Sequence, residues 1–251
     1  MRMTIEEFLI SDECLVRTSG TSDGTQDKYF KDGTWFKLDR HGGEGMAEAL
    51  ASSVLNAIGF PNDLFVEYKP CIINGKNGCY SKNFLKENES FITFYRLYKN
   101  VTGRDLATVC SKMDYDDAIE YVINFVKEQT KLDIHEYLAN IFFLDMLILN
   151  EDRHFNNLGI IYDDTSFKLA PIFDNGKSFF IGNSRAKNCS EISEKINTAY
   201  AKVFSPSFKV NYAYLKKYCM LKCDANIVKK LPVYEAVNYS RFIEILKHTI
   251  K

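Results

Sequence analysis

Two short stretches of this 251-residue chain hold the side chains that could act together chemically. They are Asn150-Glu151-Asp152-Arg153-His154-Phe155-Asn156-Asn157 and Phe173-Asp174-Asn175-Gly176. Phosphoryl transfer asks little covalent chemistry of a protein. It needs one carboxylate to orient or deprotonate an acceptor hydroxyl, and oxygen ligands that hold magnesium on the phosphates. Asp152 is placed to be that carboxylate, and Asn157 and Asp174 to be the metal ligands. An Asp and an Asn at this spacing are by themselves more often a turn and cap pair. The two short strand patterns that follow change the reading, because they fold back on each other and return Asp174 beside the loop. Arg153 has an ordinary role available, pinning the loop. His154 is either a scaffold hydrogen-bonder or a direct participant in catalysis.

A phosphate grip has to come from elsewhere. In protein kinases it is a strand Lys paired with a Glu on the following helix. Lys37 lies in Trp35-Phe36-Lys37-Leu38, where strand alternation turns it away from Phe36 and Leu38 and toward a cleft. Glu44 and Glu48 lie one turn apart on the next helix, and either is within reach of Lys37. The loop from Gly20 to Gly24, with Lys28 beyond it, is rich in turn formers and could cradle phosphates with backbone N–H groups. It is neither a Walker motif nor G-x-G-x-x-G. By strand order the adenine would meet the segment Tyr80 to Phe84, including Lys82.

These residues need elements to hold them. Short strands are expected at Glu13–Arg17, Lys28–Phe30, Thr34–Leu38, Phe65–Ile73 and Gly78–Ser81, with turns at Asp32-Gly33 and Asn74-Gly75. Met46, Leu50, Val54, Leu55 and Ile58 recur at helical spacing over Glu44–Ile58, and Gly59 closes that helix. Beyond it, helices are expected at Tyr115–Thr130, Ile134–Leu149, Tyr212–Leu221, Asn226–Lys230 and Tyr239–Thr249. Asp114 or Asp116, and then Asp133, are the cap candidates. Strands are expected at Leu158–Tyr162 and Phe167–Ile172. The plan is α+β and two-lobed: a strand-rich N-lobe with one helix over residues 1–84, then a mostly helical C-lobe over 85–251.

Composition narrows the partners. Net charge is −1, so no global field draws nucleic acid or anionic lipid. The seven cysteines are scattered, with no matching pair for a zinc site, and read as reduced thiols. The first residues carry acids where a signal peptide needs an apolar run. The longest apolar stretch, Ile141 to Leu149, contains Asp145 and is too short to span a bilayer. The expectation is a cytoplasmic protein without membrane or direct nucleic-acid contacts.

Taken together, the motifs resemble the HipA-like kinase family, distant relatives of the phosphatidylinositol kinases and eukaryotic-type protein kinases. That family's phosphate loop, Ser-x-x-Gly-Ala-Gln-x-Lys, is similar to Thr21-Ser22-Asp23-Gly24-Thr25-Gln26-Asp27-Lys28. Its Asp-x-His-x-x-Asn motif matches Asp152 through Asn157, and its Leu-x-Pro-x-x-Asp strand matches Leu169-Ala170-Pro171-Ile172-Phe173-Asp174. Its strand Lys and helix Glu fall on Lys37 and Glu48. The resemblance covers roughly Thr18 to the end. It departs at Thr21, where better-known members have Ser, and in lacking room for the extra N-terminal subdomain of full-length members. The resemblance implies a protein-kinase-like fold and ATP- and Mg2+-dependent Ser/Thr kinase activity. It also implies autophosphorylation at the loop's leading hydroxyl, here Thr21, and frequently a toxin restrained by an antitoxin. The same parts would serve a small-molecule or lipid kinase, or a nucleotide-binding regulatory module without turnover.

Overall fold

The computed structural model describes residues 2–16, 26–188, 190–236 and 238–250. In chain order the strands and helices begin with β1 (Arg2–Met3), β2 (Glu6–Phe8), β3 (Lys28–Lys31), β4 (Thr34–Leu38), α1 (Glu44–Ala57), β5 (Lys69–Ile73) and β6 (Lys76–Lys82). Then follow β7 (Ser90–Thr93), α2 (Phe94–Thr102), α3 (Leu106–Cys110), α4 (Tyr115–Thr130), α5 (His135–Ile148), β8 (Gly159–Tyr162) and β9 (Phe167–Leu169). The chain ends with α6 (Ile192–Thr198), α7 (Phe208–Leu215), α8 (Ile227–Lys230), β10 (Val233–Tyr234) and α9 (Tyr239–Thr249).

Five strands form one sheet in the order β2-β5-β6-β4-β3, with only the β2–β5 pair parallel. Turns at Asp32-Gly33 and Asn74-Gly75 join β3 to β4 and β5 to β6, with all four residues at positive φ. That is the backbone twist two-residue hairpins require. Helix α1 lies against this sheet unusually closely. A Cβ on Gly45 would overlap the Gly78 backbone, and one on Gly78 would overlap the Lys37 carbonyl. Glycine at these two positions lets helix and sheet meet backbone to backbone.

The rest of the chain packs around α5, which is buried on nearly every side, including Asn140 and Asp145. Helix α4 lays Ala118, Ile119, Val122, Ile123 and Val126 into the same core, and α9 adds Phe242, Ile245 and Leu246. A small sheet, β7-β8-β9, carries the loop that follows α5 back toward the larger sheet. Among the described residues no helix is long and apolar enough to cross a membrane.

Several expectations need correcting. Of the strand expected at Glu13–Arg17, the described residues 13–16 form none: the Ser11 hydroxyl accepts the Glu13 N–H at 3.3 Å and starts a 3-10 turn over Asp12–Cys14. Leu15 keeps a single bridge to Tyr29. The strand expected from Phe65 begins at Lys69, while Phe65 itself makes a lone bridge to Ile172. The helix placed at Tyr212–Leu221 starts at Phe208, where Ser207 caps it, and ends at Leu215. Residues 90–110 hold β7, α2 and α3, none of them expected from the sequence.

Candidate active site

Lys37 is the centre of a buried charge cluster. Its Nζ donates to Glu48 Oε1 at 2.8 Å, to Asp174 Oδ1 at 3.1 Å and to the Tyr68 hydroxyl at 3.3 Å. Three elements meet there: β4 supplies Lys37, α1 supplies Glu48, and the chain after β9 supplies Asp174. The acid that reaches Lys37 is Glu48; Glu44 Oε1 instead accepts the His41 N–H at 2.7 Å. Burial alone would lower the pKa of the Lys37 ammonium, but the Asp174 and Glu48 carboxylates outweigh it and hold the group well above its ordinary value. Burial would likewise lift the Asp174 carboxyl; Lys37 and then Lys28 instead hold it below the usual carboxylate range. Glu48 Oε2 accepts the Asn175 N–H at 2.7 Å, which ties the helix to the segment carrying Asp174.

The loop after α5 is organised by Arg153, which is completely buried. Its guanidinium forms a fork on Asp145, Nε to Oδ2 at 3.0 Å and Nη2 to Oδ1 at 2.9 Å. It also donates to the Phe173 carbonyl at 2.8 Å and to Asn175 Oδ1 at 2.6 Å. One side chain therefore sets the spacing between the Asp152–Asn157 loop and Asp174. Arginine suits this because its fork satisfies several acceptors at fixed geometry while keeping its charge. Asp145 is the partner that sequence reasoning passed over. A carboxylate inside the apolar run Ile141 to Leu149 was the available signal, since such a charge must be paired. Asn175 and Tyr68 had no comparable signal.

Asn157 Nδ2 donates to the Asp152 carbonyl at 3.1 Å. That fixes the amide and leaves its buried Oδ1 without a hydrogen-bond partner. An orphaned acceptor of this kind costs free energy unless something outside the chain completes it. Asp174 has left-handed backbone geometry, φ 61°. His154 Nδ1 is also buried and unpartnered.

Lys37, Asn157 and Asp174 share a cleft of about 300 Å3 whose other walls include Lys28, Val66, Tyr68, Ser81, Phe84 and Phe173. Phe84, Phe91 and Phe173 pack together at its apolar end. Lys82 lines it too, with Nζ donating to Thr34 Oγ1 at 3.0 Å. Tyr80 does not. Strand alternation sends it to the opposite face of the sheet, where it packs on Phe8 and Phe36 and donates to Glu6 Oε1 at 2.8 Å. Gln26 is half-buried outside the cleft wall. Thr21, Ser22, Asp23, Gly24 and Thr25 lie outside the described residues. Asp152 lines a second cleft instead, and receives a hydrogen bond from Lys202 Nζ at 2.6 Å.

No protein-family model matches the sequence, and no curated protein does. Solved structures do match the fold. A Helicobacter pylori proinflammatory kinase, CtkA, aligns with a TM-score of 0.58 and 15% identity, over 91% of this chain and 89% of that one. HipA of Shewanella oneidensis MR-1, solved with HipB and operator DNA, aligns with a TM-score of 0.50 and 9% identity, over 96% of this chain. The alignment spans 65% of that HipA chain. The fold is thus the α+β, two-lobed kinase-like fold of these proteins.

Proposed function

We propose that the chain is an ATP- and Mg2+-dependent protein serine/threonine kinase that also phosphorylates itself. The observation that carries this is the buried Lys37–Glu48–Asp174 cluster opening onto a cleft beside the orphaned Asn157 Oδ1. A buried cation would sit on nucleotide phosphates once Asp174 turned to a metal, and an unpartnered amide oxygen beside a carboxylate suits a hard cation. Among the described residues no three His, Cys, Asp or Glu side chains converge on a metal position. Magnesium bound by Asn157 and Asp174 would therefore need phosphate oxygens to complete its shell. When bound, it would supply charge neutralisation at the transferring phosphate. Asp152 would orient the acceptor hydroxyl, and the apolar end of the cleft at Phe84 and Phe173 suits a base. In this reading residues 1–84 grip the nucleotide and 85–251 carry the catalytic loop.

The description of the Helicobacter pylori neighbour as a kinase supports kinase activity. The Shewanella neighbour's complex with HipB supports an antitoxin partner as an extension of the reading. The test is to incubate the purified chain with ATP and Mg2+ and map phosphate by mass spectrometry, beside Asp152→Ala. Phosphate on the wild type alone, with both proteins binding ATP, is the expected result. Binding without any transfer would make the chain a regulatory nucleotide-binding module.

A further inference from the structure

One wall of the nucleotide cleft, formed by Thr93, Arg96 and Asn156, has no part in the reading above. Among the described residues the cleft is lined by the cations Lys28, Lys37, Lys82 and Arg96 and by a single carboxylate, Asp174. Asp174 is engaged by Lys37, whose ammonium also meets Glu48, and Lys82 donates to Thr34 Oγ1. Lys28 stands directly opposite Lys37 in the β3–β4 ladder, and burial, then that neighbour's charge, lower its pKa. Arg96 differs from all three. Its half-buried guanidinium has no hydrogen bond or ion pair among the described residues, and arginine does not give up its proton. A cation held there without a counter-charge is costly unless a ligand supplies the anion.

Its position is fixed by short links. Phe91 and Thr93, two residues apart on β7, face the same cleft. Phe91 packs with Phe84 and Phe173 at the apolar end. Thr93 Oγ1 donates to Asn156 Oδ1 at 3.1 Å and accepts the Arg96 N–H at 3.1 Å. Asn156 directly precedes Asn157, the candidate metal ligand. Arg96 is thus anchored between the apolar end and the metal end. Asn156 Nδ2 donates to nothing among the described residues, so the free side-chain groups of this wall are donors.

We propose that Arg96 is a specificity-determining residue that holds the α-phosphate of the nucleotide, with the Asn156 amide as a second donor. The proposal rests on the nucleotide-binding part of the kinase reading above. That reading sets the base against Phe84 and Phe173, and the terminal phosphates at Lys37 and the Asn157–Asp174 pair. The anion that falls beside Thr93 and Arg96 is then the α-phosphate. A ribose hydroxyl would be met as well by neutral groups and gives no reason for a permanent charge. The guanidinium offers two parallel N–H groups to phosphate oxygens. The contact needs no metal, so the wall separates nucleotides from nucleosides at the first phosphate.

The experiment measures ATP, AMP, 2′-deoxy-AMP and adenosine on the full chain by displacement of a fluorescent ATP analogue, in wild type, Arg96→Met and Arg96→Lys. Wild type should bind AMP about tenfold tighter than adenosine, the scale of one charge-assisted contact. Arg96→Met should close that gap by losing AMP affinity at unchanged adenosine affinity, which also reports an intact cleft. Arg96→Lys, with the charge but not the fork, should restore part of the gap. Equal wild-type affinities for AMP and adenosine, or a gap that survives Arg96→Met, would overturn the proposal. So would an equal loss for adenosine, which makes Arg96 a wall, or a loss for AMP but not 2′-deoxy-AMP, which assigns it to the ribose. In each of these cases ATP binding and phosphate transfer by the wild type leave the kinase reading standing. A wild type that binds none of the four ligands would take both down.

Discussion

Lys202 holds its ammonium 2.6 Å from an Asp152 carboxylate oxygen, although 50 positions of chain separate them. The two side chains are 40% and 38% exposed, so solvent screens the pair and it adds little to stability. Its geometry is nonetheless fixed by backbone: Asn211 Nδ2 donates to the Lys202 carbonyl at 3.2 Å and Ala201 N–H to the Pro206 carbonyl at 2.8 Å. The cation therefore orients Asp152 from outside its own loop. Lys202→Met should slow phosphoryl transfer about tenfold through misorientation of Asp152, with ATP affinity and thermal midpoint little changed. Lys202→Arg should recover most of the rate. Single-turnover kinetics on the three proteins decides, and equal rates would reduce Lys202 to a surface contact.

Asp174 invites an Asn substitution, because Asn tolerates the left-handed backbone at φ 61° about as well as Asp. Asp174→Asn should keep the fold and lose transfer by roughly a hundredfold or more, the scale for deleting one group of a charge-stabilising site. It should also change the acid stability. Asp174 is an acid held below its unfolded value, so it adds stability above about pH 4 that is lost as the pH falls. Urea midpoints measured from about pH 6 to about pH 3 should therefore drop less steeply in Asp174→Asn than in wild type. Parallel profiles would mean Lys37 does not stabilise the ionised form.

Arg153 and Asp145 form a fully buried pair, and removing one partner strands the other. Arg153→Met should cost about 3–5 kcal/mol, leaving Asp145 as an uncompensated charge. The double variant Arg153→Met/Asp145→Leu should regain much of that stability yet remain inactive, since nothing then ties the Asp152 loop to Phe173 and Asn175. Urea denaturation with parallel ATP titration separates the two effects. An active double variant would show that the loop holds its shape without the guanidinium.

How far the sequence reveals this molecule depends on how local each signal is. The spacing of Asp152 and Asn157, the hairpin returning to Asp174, and the alternation turning Lys37 inward are all readable within a few residues; Lys37, Asn157 and Asp174 line one cleft and Asp152 a second. The long helices α4 and α9 declare themselves through apolar periodicity. Strand β2 is invisible because it pairs in parallel with β5, far along the chain, and has no turn of its own to announce it. Strand β7 likewise exists only through β8. Helix α2 did leave a trace, for Thr93 caps it by accepting the Arg96 N–H at 3.1 Å, ahead of Phe94, Leu97 and Tyr98. Of the segment Tyr80 to Phe84, named by strand order alone, only Tyr80 is missing from the cleft wall, which Ser81, Lys82, Asn83 and Phe84 line. Lys202 had no sequence signal at all.

The closeness of α1 to the sheet gives the last prediction. Glu48 reaches Lys37 only because Gly45, one turn earlier on α1, sits against the Gly78 backbone with no space for a side chain. Gly45→Ala must push the helix off β6 or bend the strand. Overpacking of this kind costs about 1–3 kcal/mol. The displacement should also lengthen the Lys37–Glu48 contact, freeing Lys37 to pair with Asp174 alone and weakening its hold on nucleotide phosphates. Val122→Ala, in the core of α4 and remote from the cleft, should cost a similar amount of stability by opening a cavity. The two variants therefore separate local geometry from global loosening. ATP titration at a temperature where both are fully folded should show weakened binding for Gly45→Ala and wild-type binding for Val122→Ala. Equal affinities in the two would mean the helix position does not set the grip of Lys37.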